Sequence, residues 1–172
     1  MSILVDTAVW IDHFRRSNDA LVNLVSLDMA VTHPMVIVEL ACGTPPAPRA
    51  QTLGDMALLA SAQQATLGEA QEFIEREKLY GLGCGLVNIA LLASAIITPN
   101  TQLWTMNKRL SDLAQRFGVA YQPSLHYRCE AKMVVYNFQH MNAPVTSTNA
   151  TQAFAWPASA LMSSTKTTTI KG

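Results

Sequence analysis

The sequence lacks net charge, since its 12 Lys and Arg residues are balanced by 12 Asp and Glu residues. The chain as a whole therefore lacks the positive charge expected of a protein that clamps long stretches of nucleic acid. A nucleic-acid ligand would therefore need a local basic patch. The charges are also unevenly divided, because residues 1–122 contain eleven acids and eight bases, whereas residues 123–172 contain one acid and four bases.

Cysteine is scarce as well. The three cysteines, Cys42, Cys84 and Cys129, are widely spaced and form no C-x-x-C pair. Neither a disulfide framework nor a zinc site is indicated by this spacing. We therefore expect a protein of the reducing cytoplasm.

The chain also has no long uninterrupted apolar segment. Asp6 and Asp12 fall within the first dozen residues, which argues against a secretory signal. The longest apolar stretch, residues 84–97, is too short to span a bilayer. No membrane association is expected.

Short apolar strands alternate with helical patterns over the first 122 residues, which is typical of an α/β sheet with helices on its faces. A chain of 172 residues with 49% hydrophobic content has room for one ordinary core. Strands are predicted at residues 2–5, 102–105 and 119–121, with 31–32 either a strand or a helix start. Helices are predicted at residues 7–16, 21–27, 33–43, 51–60, 67–78, 86–97 and 107–117.

The composition changes after residue 122. Residues 144–172 contain eleven Ser and Thr residues with little apolar periodicity. Such a segment buries too little apolar surface to order itself. The sequence thus predicts a domain at residues 1–122 and an irregular or disordered Ser/Thr-rich tail at residues 123–172.

Four polar residues stand where a core would normally be apolar. Asp6 ends the first strand, Glu39 and Asn88 lie within apolar helices, and Asn107 follows the strand at residues 102–105. In an open α/β sheet, strand ends and the helix starts beside them share one edge, where functional sites usually form. We expect these four side chains to lie together there.

Four ordered segments carry a resemblance to a known family. They are ILVDTAVWIDH at positions 3–13, HPMVIVELACG at 33–43, GLGCGLVNIALLASA at 81–95 and LWTMNKRL at 103–110. Together they resemble the PIN-domain ribonuclease toxins of the VapC type, over about residues 1–122. Four blocks in the right order are more specific than any single motif. The resemblance implies a PIN-like small parallel sheet wrapped by helices and a metal-dependent endoribonuclease activity.

The family places four acidic residues around Mg²⁺ or Mn²⁺, one in each block. The resemblance carries these positions onto Asp6, Glu39, Asn88 and Asn107 as catalytic residues, the first three as metal ligands, with Thr7 as a hydroxyl neighbour. Two of the four are asparagine here, so the expected negative charges fall from four to two. Near an exposed edge, two unit charges about 4 Å apart interact by on the order of 4 kcal/mol, so metal binding should be weakened.

Each position also has a structural interpretation. Asp6 and Asn107 are both suited to cap the helices that follow them. Asn88 is equally compatible with a hydrogen-bonded core amide and with a weak ligand. The apolar neighbours of Glu39 argue against a solvated helix face.

Basic residues near the predicted edge offer weak candidates for RNA contact. Arg15, Lys108 and Arg109 would hold the phosphate backbone, although most such charges are merely solvated. His13 and His33 are expected to be surface or capping side chains rather than catalysts.

Two functions remain open at this point. The first is a Mg²⁺-dependent endoribonuclease toxin, weakened by its two asparagines and neutralised by a cognate antitoxin. The second is a catalytically silent PIN-fold protein that retains antitoxin or partner binding. The apolar stretches at residues 21–27 and 56–59 offer surfaces for a homodimer or the antitoxin.

Overall fold

The computed structural model describes residues 1–123. The predicted tail lies outside the described residues except for Pro123, so the domain boundary at residue 122 stays a prediction. Three strands and seven helices make up the described part. The strands are β1 (Ser2–Val5), β2 (Ala30–Val31) and β3 (Thr101–Trp104), and the helices are α1 (Thr7–Arg16), α2 (Asp19–Ser26), α3 (Pro34–Cys42), α4 (Arg49–Ala57), α5 (Leu67–Glu77), α6 (Leu86–Ile97) and α7 (Lys108–Arg116).

The strands form one parallel sheet in the order β2-β1-β3. The central strand β1 is fully buried along residues 3–5, as expected of a strand covered on both faces. Val5 pairs with Trp104, and the Asp6 N–H donates to the Trp104 carbonyl at 2.9 Å. The α/β prediction is therefore confirmed, and the first residues beyond β1 and β3 are neighbours.

Helix α6 is the most deeply buried helix of residues 1–123. Seven consecutive residues, 89–95, are buried, and the helix packs against β3, α5 and α7. Trp10 and Trp104 are buried too, at 3% and 4% exposure. The apolar blocks of the sequence thus form the core.

The predicted last strand, residues 119–121, is wrong in extent. Only one bridge forms there, between Leu103 and Ala120. The Leu103 N–H donates to the Val119 carbonyl, and Tyr121 donates back to Leu103. The segment pairs with β3 for one residue only.

The apolar stretches considered as partner surfaces mostly face inward. Leu21, Leu24 and Met56 are buried in the core, whereas Leu27 and Leu58 are 61% and 78% exposed. Each stretch therefore presents single exposed leucines rather than a continuous apolar surface. Among the described residues, no helix combines the length and apolar character needed to cross a membrane.

Candidate active site

Asp6 lies at the carboxyl end of β1 and at the N-cap position of α1. Its side chain makes no helix-capping hydrogen bond, so the simple capping interpretation does not hold. Instead Oδ2 accepts a hydrogen bond of 2.6 Å from Thr105 Oγ1 across the parallel β1–β3 pair. The residue is only 4% exposed.

Burial and charge act against the ionised form of this carboxyl group. Desolvation raises the pKa of Asp6 above its ordinary value, and the negative charge of Glu39 raises it further. Hydrogen bonds from the Thr105 hydroxyl and the Thr7 backbone oppose this rise. Asp6 and Glu39 therefore lie close enough to repel each other, as two carboxylates of one site do.

Glu39 reaches the same edge from α3. Its Oε2 atom accepts a hydrogen bond of 2.6 Å from Thr7 Oγ1, at the first residue of α1. The expectation that apolar neighbours exclude a solvated face is wrong, because Glu39 is exposed and Val38 beside it is 61% exposed. Helix α3 buries mainly Val36 and Leu40, which leaves its other face open.

Asn107 caps α7. Its Oδ1 atom accepts hydrogen bonds from the backbone N–H groups of Arg109 at 3.0 Å and Leu110 at 3.4 Å. Its own N–H donates to Thr105 Oγ1 at 3.0 Å. One threonine hydroxyl thus links the start of α7 to the Asp6 carboxylate.

Asn88 is the third residue of α6 and is half-buried. Its amide forms no hydrogen bond with any part of residues 1–123, so it is not the hydrogen-bonded core amide considered from the sequence. Helix α6 packs against β3 and α7, which carry the residues on either side of Thr105. The structure therefore places Asn88 on an element of the site without joining its amide to Asp6 or Glu39.

The oxygen-bearing side chains of the site fit a hard cation such as Mg²⁺ only in part. Within residues 1–123, no three His, Cys, Asp or Glu side chains come together as a metal-binding group. Two carboxylates, one amide and two threonine hydroxyls supply oxygen atoms, which are the ligands Mg²⁺ prefers. The oxygen chemistry fits Mg²⁺ or Mn²⁺, whereas half of the expected charge is missing.

A groove runs from the site along α1 and α3. It has a volume of about 480 Å³ and contains both Glu39 and Arg15. The neighbouring Arg16 instead pairs with Asp12 at 2.6 Å. The groove walls are mainly apolar or loop residues: Ile11, Phe14, Leu40, Gly43, Thr44, Pro45 and Pro46.

The bases of α7 have different surroundings. Lys108 is exposed at the first position of the helix. Arg109 is also exposed, but its Nη1 atom donates a hydrogen bond of 3.1 Å to the Gly83 carbonyl.

Thr105 belongs to the site, although the sequence pattern did not single it out. Thr105 stands between β3 and Asn107, so a hydroxyl directly after a strand end was the available signal. His33 is a helix cap as considered, since Nδ1 accepts from the Met35 N–H at 3.1 Å, but it is 2% exposed rather than on the surface. Its Nε2 atom lies 3.2 Å from Ser94 Oγ on α6, and burial lowers the pKa of the imidazole.

Two curated proteins that are similar to this chain carry the same name. Ribonuclease VapC32 of Mycobacterium tuberculosis, from strain CDC 1551 / Oshkosh and from strain ATCC 25618 / H37Rv, is 40% identical to it over 118 residues. The similarity covers 69% of this chain and 94% of each relative. No family model matches the chain. No solved structure matches it significantly.

Proposed function

Because the chain belongs to the VapC family of PIN-domain ribonucleases, we propose that it is a metal-dependent endoribonuclease toxin whose site is weakened by asparagine at positions 88 and 107. The observation that carries this proposal is the pair of carboxylates at the end of the sheet. Asp6 and Glu39 come from different elements, and each accepts a short hydrogen bond from a threonine hydroxyl. These hydrogen bonds hold two carboxylates near enough for the charge of Glu39 to act on Asp6.

A divalent cation would relieve the repulsion within this pair. Asp6 is buried beside another carboxylate, and its pKa is raised mainly by desolvation. Asp6 and Glu39 would hold Mg²⁺ or Mn²⁺, with the carbonyl oxygen of Asn88 as a neutral third ligand. Asn107 is poorly suited to ligate, because its side-chain oxygen already accepts two backbone hydrogen bonds.

The cation, when bound, supplies an activated water and neutralises charge that develops on the scissile phosphate. The side chains of this protein hold the ligands in place. Thr105 keeps the Asp6 carboxylate oriented and favours its ionised form. Thr7 keeps the Glu39 carboxylate oriented. With two asparagines, fewer carboxylates remain to orient an attacking water.

RNA would approach along the groove that contains Glu39 and Arg15. Arg15 shares this groove with Glu39, and Lys108 lies beside Asn107 at the start of α7, which supports a role for both in holding phosphates. A cognate antitoxin segment would cover the same groove. We propose that the protein acts in the cytoplasm and as a homodimer, on the basis of its family.

The second candidate is a catalytically silent protein that keeps partner binding. Two observations favour it: the Asn88 amide supplies no charge, and Asn107 serves as a helix cap. A site with two carboxylates retains the fold and the groove without the full ligand set. The two candidates differ in one property, cleavage by the unmodified chain.

The deciding experiment measures Mn²⁺ binding and RNA cleavage for four proteins: the unmodified chain, Asp6→Ala, the double variant Asn88→Asp/Asn107→Asp, and Asp55→Ala. Asp55 is an exposed acid on α4 and serves as the control. Metal-dependent cleavage that survives Asp55→Ala and disappears in Asp6→Ala establishes the enzyme. Cleavage gained only by the double variant establishes the silent candidate. Absence of metal binding in all four proteins overturns the metal site.

A further inference from the structure

The loop that leads into α6 is rich in glycine, so it has few side chains of its own that could stabilise its conformation. Gly81 and Gly83 both adopt left-handed backbone conformations, with φ of +75° and +71°. Gly85 is the N-cap of α6 and has no side chain with which to cap it. Glycine loses more conformational freedom on folding than any other residue, so such a loop needs an external contact to stay ordered.

Arg109 supplies that contact. Its guanidinium donates to the Gly83 carbonyl at 3.1 Å and lies directly against the Gly83 backbone. A Cβ atom at position 83 would overlap Nη1 and lie 2.8 Å from Cζ. Position 83 thus favours glycine for its backbone conformation, and a Cβ atom there would displace the Arg109 guanidinium from its contact. The same positive charge opposes the burial-induced rise in the pKa of the neighbouring Cys84 thiol.

The contact links the two positions of the site that carry asparagine, Asn88 and Asn107. Arg109 is the second residue of α7, and its backbone N–H is held by Asn107 Oδ1. The loop that it holds ends at the helix whose third residue is Asn88. We propose that Arg109 is a positioning residue, which fixes the glycine loop against α7 and thereby sets where α6 presents Asn88.

The first test is amide hydrogen exchange in the full chain, which does not depend on nuclease activity. Arg109→Ala should accelerate exchange of the amides at residues 81–87 by about three- to tenfold, the range for a partly solvated charged hydrogen bond. Lys108→Ala, which removes the adjacent charge, should leave these rates unchanged. Equal exchange in the parent and Arg109→Ala overturns the proposal.

A matched pair of glycines isolates the contact. Gly81→Ala and Gly83→Ala introduce similar backbone strain, but only position 83 touches Arg109, since a Cβ at position 81 meets nothing within 4 Å. Gly83→Ala should therefore open the loop as Arg109→Ala does and add only its strain effect when the two are combined. Gly81→Ala should add the same increment in both backgrounds. Full additivity for Gly83→Ala contradicts the contact.

Two further readouts separate positioning from RNA contact and from a merely structural role, and they rest on the proposed function. A side chain that contacts a phosphate contributes about 0.7 to the salt slope of single-stranded RNA binding. Because a positioning residue contacts no phosphate, Arg109→Ala should leave that slope unchanged. In the Asn88→Asp variant, adding Arg109→Ala should weaken Mn²⁺ binding more than it does in the parent, because position 88 supplies a charged ligand in the variant and only a neutral one in the parent. A reduced salt slope with unchanged loop exchange would reassign Arg109 to RNA. If no RNA or metal binds, the proposed function fails while hydrogen exchange still decides the positioning role.

Discussion

Single hydroxyl groups control the carboxylates of this site. Thr105 donates to Asp6 and thereby opposes the rise in its pKa caused by burial. Thr105→Val should raise the pKa of Asp6 further and weaken Mn²⁺ binding on the order of tenfold, as loss of a ligand-orienting partner does. The pKa is measured by carboxyl-carbon NMR titration. Thr101→Val, at the opposite end of β3, is the control, and an equal effect there would remove the special role of Thr105.

Asp6 itself should lower stability at neutral pH. The pKa of Asp6 in the folded state lies above the ordinary 3.8, so the protonated carboxyl group is favoured by folding. This contribution to stability is complete below pH 3.8 and is lost as pH rises through the folded-state pKa. Asp6→Asn should therefore raise the free energy of unfolding at pH 7 by on the order of 1 kcal/mol. Urea denaturation should show this gain shrinking toward pH 4. The exposed Asp55→Asn is the control, and a loss of stability in Asp6→Asn at pH 7 would contradict the expectation.

At the scale of helices and strands, local patterns predicted most of the fold. The bounds of α6 match the prediction, because an apolar run with a glycine start and a Thr-Pro stop needs no distant information. The exposure of Glu39 was not predictable, since the face of α3 that packs depends on α1 and α4. Hydrogen bonds such as Thr105 to Asp6, which joins residues 99 positions apart, are invisible to any local pattern.

The cap of α7 offers a prediction at this scale. Asn107 accepts from two backbone N–H groups, and aspartate caps helices about as well as asparagine does. Asn107→Asp should therefore leave the free energy of unfolding within about 0.5 kcal/mol of the parent, whereas Asn107→Ala should lower it by about 1 kcal/mol. Urea unfolding measures both. An Asp variant as unstable as the Ala variant would mean that position 107 does not act as a cap.

The cap of α3 should make the stability of the protein depend on pH. His33 Nδ1 accepts from Met35, so the neutral imidazole carries its proton on Nε2, toward Ser94. Its folded pKa lies below the ordinary 6.5, so its contribution to stability is present above pH 6.5 and is lost as pH falls toward the folded value.

The melting temperature should consequently fall between pH 7.5 and pH 5. His33→Asn keeps a capping oxygen but loses the ring contact with Ser94, so its melting temperature should be lower at pH 7.5. Because asparagine cannot be protonated, the melting temperature of the variant should also change less with pH. Burial also lowers the pKa of His13, which accounts for a residual slope in the variant. A slope unchanged from the parent would exclude His33 as its source.

For the whole molecule, the asparagines should determine how strongly a metal stabilises the fold. A ligand that binds only the folded state adds about 2.7 kcal/mol at a concentration 100 times its Kd. At one fixed Mn²⁺ concentration, Asn88→Asp/Asn107→Asp should therefore gain several degrees in melting temperature, and the parent should gain much less. Adding Asp6→Ala to the double variant should abolish the gain, because it removes a carboxylate ligand that the parent and the double variant have in common. Equal metal-induced shifts in the parent and the double variant would mean that the two amides serve as ligands as well as carboxylates do, and the weakening of the site would then need another cause.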